Sequence, residues 1–339
     1  LVRVNIDCPV RAPALTPASE YALIAFKREE TMPIIIPDNL PARRTLEQEG
    51  VVVISEPEAI RQDIRPMRVA LLNLMPEKIK TETQLTRLIG ATPLQVEMTL
   101  VTTSSYTPRN TSADHLLAFY RSWESVRHRN FDGLIITGAP VETMPFEHVQ
   151  YWPELTQILD WSQTHVQETL NLCWGAQASL YHFHKVPKHD LPQKMFGVFP
   201  HQIVTHNTTF LRGFNDVFPV PVSRHSETRQ EDIDKVSDLY VLATSQEAGL
   251  CIIRDPVHRQ LDMLNHLEYE HDTLAAEYQR DVATGAEIQL PAHYFPNDDP
   301  NQKPVNFWRP LAHLLFANWI NYLYQTSPFE VAQIPNIEN

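Results

Sequence analysis

Cys173 sits where an apolar run ending at Leu172 meets the small-residue sequence Trp174-Gly175-Ala176-Gln177-Ala178-Ser179. A strand followed at once by a tight turn and a helix start is the sequence form of a nucleophile elbow. Gly175 lets the new helix pack close to the strand, because no Cβ intervenes. The helix N-terminus offers free backbone N–H groups and the positive end of the dipole, both of which favour a thiolate. The N–H of Trp174 is one candidate oxyanion donor. Val141, in the turn at 138–141, is a candidate for the second. A free cysteine is equally consistent with a buried core thiol. Cys8, and Cys251 inside an apolar strand, take that plainer reading.

A thiolate mechanism needs a base, and the base needs an orienting group. Fifteen histidines make a lone one uninformative. His266 differs because it heads His266-Leu267-Glu268-Tyr269. In an extended segment residues two apart share a face, so Glu268 can hold the ring of His266. Alone, the pair reads as easily as a surface histidine beside a carboxylate. With the elbow, the catalytic reading leads.

The elements that must position these groups follow a βαβα rhythm from Arg65. Residues 67–75, 94–103 and 131–140 read as strands. Residues 112–126 read as a helix with Ser112 as N-cap, and 151–165 as another. Residues 168–184 read as strand, turn and helix. Further strands fall near 238–245 and 250–255, then a helix at 272–283 and a closing aromatic helix from Trp308. The pattern predicts an α/β fold, a mainly parallel sheet with helices on both faces. Ligands in such sheets bind at the carboxyl ends of strands. The turns after 131–137 and at Cys173 lie at such ends.

The chain has 339 residues and a net charge of −13, which disfavours a nucleic-acid partner. Three cysteines form neither a disulfide framework nor a zinc motif, so a reducing compartment is expected. No apolar run is long enough to span a membrane, and no signal peptide is evident, so the expected location is the cytoplasm. Residues 1–31 look detached: an N-terminal extension, expected to be poorly ordered, ahead of a single domain over 32–339. His182, His184 and His189 hint at metal binding but read better as a polar connection after a helix, and no metal is expected.

The pairing of Cys173-Trp174-Gly175-Ala176-Gln177-Ala178 with His266-Leu267-Glu268-Tyr269-Glu270 resembles homoserine O-acyltransferases of the homoserine O-succinyltransferase type. Segments at 41–51, 63–97, 132–142, 194–201 and 293–328 extend the resemblance over nearly all of 32–335. It implies a flavodoxin-like, class I glutamine amidotransferase-like fold with a Cys173–His266–Glu268 triad. It implies ping-pong transfer from an acyl-CoA, with no bound cofactor, and a homodimer. It places the amino-acid-binding arginine on Arg280 and a lysine of the acyl site on Lys78, with Arg224 as a further substrate contact. Members with glutamate at Glu142 prefer acetyl-CoA, and a carboxylate there would repel a succinyl carboxylate. The expected reaction is acetyl transfer to L-homoserine, in methionine biosynthesis. Two departures, Asn265 where most members have glycine and Val222 where they have histidine, point to the acceptor pocket. They keep L-serine, in cysteine biosynthesis, as an alternative, beside homoserine O-succinyl transfer. A glutamine amidotransferase or cysteine hydrolase would use the same triad, and a non-catalytic protein on this fold would have a damaged one.

Overall fold

The computed structural model describes residues 34–37, 39–48, 53–54, 65–105, 111–206 and 208–336. The expectations for 1–31 lie outside these residues.

The sheet begins with short strands β1 (Ile34–Ile35) and β2 (Val53–Ile54), with helix α1 (Pro41–Gln48) between them. Strand β3 (Met67–Leu72), helix α2 (Lys78–Ile89) and strand β4 (Val96–Thr102) follow. Strand β6 (Phe131–Ile136), helix α5 (Trp152–His165), strand β7 (Val166–Leu172) and helix α6 (Trp174–His184) continue the rhythm. The parallel half of the sheet runs β2-β1-β4-β3-β6-β7-β12, with β12 spanning Gln260–Met263. Every pairing from β2 to β12 is parallel. The expected α/β, mainly parallel architecture is therefore present.

The central strands are buried on both faces, and their alternation feeds two cores. Val69, Leu71 and Ile135 pack with Leu85, Ile89 and Trp319 on one side. Ala70, Leu72, Leu134 and Ile136 pack with Leu155, Ile158 and Trp174 on the other. Successive side chains of a strand point to opposite faces, so one apolar run serves both layers. The aromatic helix α9 (Arg309–Thr326) lies against β6. A Cβ on Gly133 would sit 2.6 Å from Trp319.

Two elements differ from expectation. The helix read over 112–126 is broken into α3 (Ala113–Phe119), β5 (Arg121–Ser122) and α4 (Trp123–Val126). Ser112 does cap α3, accepting from the His115 N–H at 3.3 Å. Tyr120 leaves the helix in an extended conformation, and its hydroxyl donates to buried Glu82 at 2.6 Å. The second difference is a long hairpin, β8 (His189–Ile203) and β9 (Val217–Glu227). Its prolines make it read as loop. In the structure β9 is the outermost strand, where a missing N–H is tolerated, and Pro200 lies opposite Pro219. After the short helix α7 (Gln230–Ile233), strands β10 (Tyr240–Ser245) and β11 (Gly249–Asp255) join this antiparallel half to β12.

Candidate active site

Strands β3, β6, β7 and β12 are neighbours and parallel, so their carboxyl ends share one edge. Chain leaving those ends supplies Met75, Gly138, Cys173 and His266 to a single cavity of ≈ 330 Å³. The hairpin β8–β9 adds Lys194, Ser223 and His225. Helix α8 (Thr273–Ala283) adds Glu277 and Arg280.

Cys173 is the joint between β7 and α6. Its backbone has φ 51° and ψ −118°, a conformation a non-glycine residue rarely adopts and that costs about 1–3 kcal/mol. Neighbouring chain holds it there. Its N–H donates to Met263 O at 2.7 Å, and its carbonyl accepts from the Ala176 and Gln177 N–H groups at 3.0 and 3.2 Å. Gly175 is required next to it. A Cβ there would lie 2.8 Å from Thr137 O and 2.9 Å from Ile136 O, so any larger residue would push α6 off β6. Gly138 is almost as tight, its Cβ position 3.2 Å from Cys173 Cβ.

His266 Nδ1 lies 2.7 Å from Glu268 Oε1, and the same ring is hydrogen-bonded to Cys173. The ring stacks on Tyr269, with centroids 4.1 Å apart. Burial opposes the imidazolium. The adjacent Cys173 thiolate and Glu268 carboxylate outweigh it and hold the His266 pKa well above its ordinary value. The three side chains are thus brought together as the sequence implied, but not by strand alternation. β12 ends at Met263, and His266 and Glu268 lie on the turn that follows, with the Tyr269 N–H reaching back to His266 O.

The other expected residues divide. Glu142 and Arg280 line the cavity with Cys173. Glu142 Oε1 accepts from the His225 N–H at 3.2 Å, which ties the segment after β6 to the hairpin. Arg280 pairs with Asp281 at 2.7 Å and remains largely exposed, free to turn its fork to an incoming carboxylate. Trp174 occupies the first helical position after Cys173, where an N–H has no intrahelical acceptor. The Val141 N–H departs from expectation: it donates to Ala139 O at 2.8 Å and closes the turn around Pro140, so it is not a free oxyanion donor in this arrangement.

Lys78 and Arg224 also depart. Neither lines the cavity. Lys78 is buried at the start of α2, its ammonium on Asn73 O and over the Tyr120 ring, and burial lowers its pKa to about 8 despite Glu82. Arg224 is buried between two cavity-facing residues of β9, Ser223 and His225, and so points to the opposite side. It donates to Asn265 Oδ1 and Ala248 O. Asn265 is fully buried and turns the same way, 3.0 Å from His201 Nε2. Val222 is buried too. The two departures from the family pattern are therefore buried and do not line the cavity.

Lys194, Tyr269, Ser223 and Glu277 were not anticipated. Glu277 accepts from Ser223 Oγ at 2.5 Å and from Lys194 Nζ at 3.2 Å, and bonds to the Tyr269 hydroxyl. Glu277 could have been found, because it lies three residues before Arg280 and shares its helix face. Of the three histidines considered for metal, His182 pairs with Asp160, His184 with Asp255 and His189 with Asp232, so they do not converge. Among the described residues no helix is long and apolar enough to cross a membrane.

Residues 33–329 match the family model described as homoserine O-succinyltransferase. A homoserine O-acetyltransferase of Novosphingobium aromaticivorans is 59% identical over 303 residues, covering 89% of this chain and 99% of that protein. One from Rhizobium leguminosarum bv. trifolii is 55% identical over 303 residues, again covering 89% of this chain and 99% of its own. Among solved structures, a glutamine amidotransferase from Thermotoga maritima aligns with a TM-score of 0.50 at 10% identity, covering 77% of this chain and 99% of that one. That likeness is one of fold.

Proposed function

The chain belongs to the homoserine O-succinyltransferase family and is an acyltransferase, and from that premise we propose that it carries an acetyl group from acetyl-CoA to the side-chain hydroxyl of L-homoserine through an acyl-Cys173 intermediate. The observation that carries the reading is the hydrogen-bonded Cys173–His266–Glu268 set at the base of a cavity that also holds Glu142 and Arg280.

The thiolate of Cys173 attacks the thioester carbonyl, and the Trp174 N–H faces the oxyanion that forms. The C–S bond to CoA breaks, and the leaving thiolate takes the His266 proton. The neutral imidazole then removes the proton of the acceptor hydroxyl, whose oxygen attacks the acyl-enzyme. Collapse releases the O-acetyl amino acid and restores the Cys173 thiolate beside the His266 cation. Glu268 keeps Nδ1 occupied throughout, which directs Nε2 to the reacting atoms. Arg280 suits the acceptor carboxylate, and Glu277 its ammonium.

Glu142 supports acetyl over succinyl. Its carboxylate lines the same cavity as Cys173, and a like charge there disfavours a succinyl carboxylate. Homoserine is preferred to serine because the relatives are named for it, and the two departures, Asn265 and Val222, are buried and do not line the cavity. The relatives named homoserine O-acetyltransferase agree with both choices. The product would then enter methionine biosynthesis.

The test is thiol release from acetyl-CoA and succinyl-CoA, each with L-homoserine and L-serine. The expected result is the highest kcat/KM for acetyl-CoA with homoserine, and a gain of succinyl transfer in Glu142→Gly. Preference for succinyl-CoA or serine in the unaltered protein would overturn the donor or the acceptor assignment respectively.

A further inference from the structure

Helix α6 carries the nucleophile at its N-terminus. Its other end carries a second cluster that the acyl transfer does not use. His184, the last residue of α6, places Nε2 2.6 Å from Asp255 Oδ2. His258, in the turn between β11 and β12, places Nδ1 2.8 Å from the same oxygen. The three potential ligand atoms all lie within 4.8 Å of one another. We infer that His184, Asp255 and His258 form a site for one divalent zinc-type ion, with water completing the coordination.

Two imidazole nitrogens and one carboxylate are the donor set of an open zinc site, and they disfavour calcium and magnesium, which take oxygen. The support around the ligands is also present. Asp255 Oδ1 accepts from the His258 backbone N–H at 3.0 Å, which leaves Oδ2 for the ion. The His258 ring is stacked on Phe183, with centroids 4.3 Å apart, which fixes its plane. Asp255 is buried and His184 nearly so, while 28% of the His258 side chain is exposed and gives an entry path. Around a tetrahedral zinc the ligand atoms stand roughly 3.3 Å apart, so the two short hydrogen bonds need open by less than an ångström. Binding to neutral imidazoles requires only that each ring carry its proton on the nitrogen away from the ion. Among the described residues the pairs His182–Asp160 and His189–Asp232 gather no third ligand. The ion would tie the end of α6 to the turn that leads into β12, and so brace the two segments that present Cys173 and His266.

The experiment uses chelator-stripped Cys173→Ala protein, because the thiolate–imidazole pair of the active site is itself a zinc ligand. Zinc is titrated by calorimetry, and melting is followed with and without zinc, in this background and with His258→Gln or His182→Gln added. The expected result is one equivalent bound, unchanged by His182→Gln and weakened at least roughly tenfold by His258→Gln. Zinc at about a hundred times the Kd of the Cys173→Ala protein should raise Tm by roughly 5 °C in that protein and with His182→Gln added, and by at most about half as much with His258→Gln. No saturable binding, or binding that His258→Gln leaves intact, would overturn the inference and leave the cluster a hydrogen-bonded clasp.

Discussion

The segment Leu264-Asn265-His266 has a cysteine and a histidine on each side of it, and the two pairs have opposite properties. On the cavity side, Cys173 contacts His266, whose proton is held tightly by charged neighbours. On the sheet side, Cys251 is fully buried in β11 and His201 is buried in β8, and Asn265 is bonded to both. Burial pushes the Cys251 thiol up to about 12 and pulls His201 down to about 4. Residue types alone do not separate these pairs. What separates them is a compensating charge and an opening to solvent: the front pair has Glu268 and the cavity, and the back pair has neutral amides and the Arg224 cation.

The contrast can be broken most sharply by removing each thiol. Cys173→Ala should lower kcat for acyl transfer by at least about 10³-fold, because the nucleophile is gone. Cys251→Ala should leave kcat within about twofold and lower stability by about 1 kcal/mol, measured by denaturant unfolding. Next in size is Glu268→Gln, which removes one of the two charges that hold the His266 proton. It should lower kcat/KM on the order of 10²-fold and slow alkylation of Cys173 at pH 7, since a less basic imidazole supports less thiolate. Restoration of both by Glu268→Asp would agree with positioning by charge.

Arg280→Ala should raise the KM for the acceptor roughly tenfold or more while acyl-enzyme formation from acetyl-CoA alone proceeds at its normal rate. Stopped-flow with and without acceptor separates the two steps. The back pair also shows itself in the pH dependence of stability. His201 is neutral in the fold at about 4 and ordinary at 6.5 when unfolded, so the unfolded chain binds its proton first. Its contribution is intact above pH 6.5 and is lost as pH falls towards 4, by up to about 3 kcal/mol. His266 has the opposite sign: its proton favours the fold below pH 6.5, and that contribution disappears as pH rises through its raised folded value. Replacing His201 with Gln should flatten the acid limb of the stability profile and leave the alkaline limb unchanged.

The elbow was legible because its signals are local: an apolar strand, Cys173, and a glycine two residues on. The parallel half of the sheet was legible for the same reason, through runs such as 67–72 and 131–136. The hairpin was not, because Pro192, Pro200, Pro219 and Pro221 argue against strands unless an edge position is known, and edge position is a property of the whole sheet. That omission carried into the site. Once β9 is recognised as a strand, alternation turns Ser223 and His225 to the cavity and Arg224 to the back, so the misplaced arginine and the missed serine have one cause. Lys78 is a different case: the resemblance, not a local sequence signal, assigns it to the acyl site, and the fold buries its ammonium on Asn73 O. The triad was reached by the wrong local geometry, since the turn after β12, not strand alternation, brings Glu268 to His266.

The most direct measurement is mass mapping of the protein after brief exposure to acetyl-CoA without acceptor, followed by addition of L-homoserine. The account predicts one acetyl group, on the peptide bearing Cys173, that disappears when homoserine arrives. An acetyl group on Cys251 or elsewhere, or turnover with no acyl-enzyme at Cys173, would contradict it.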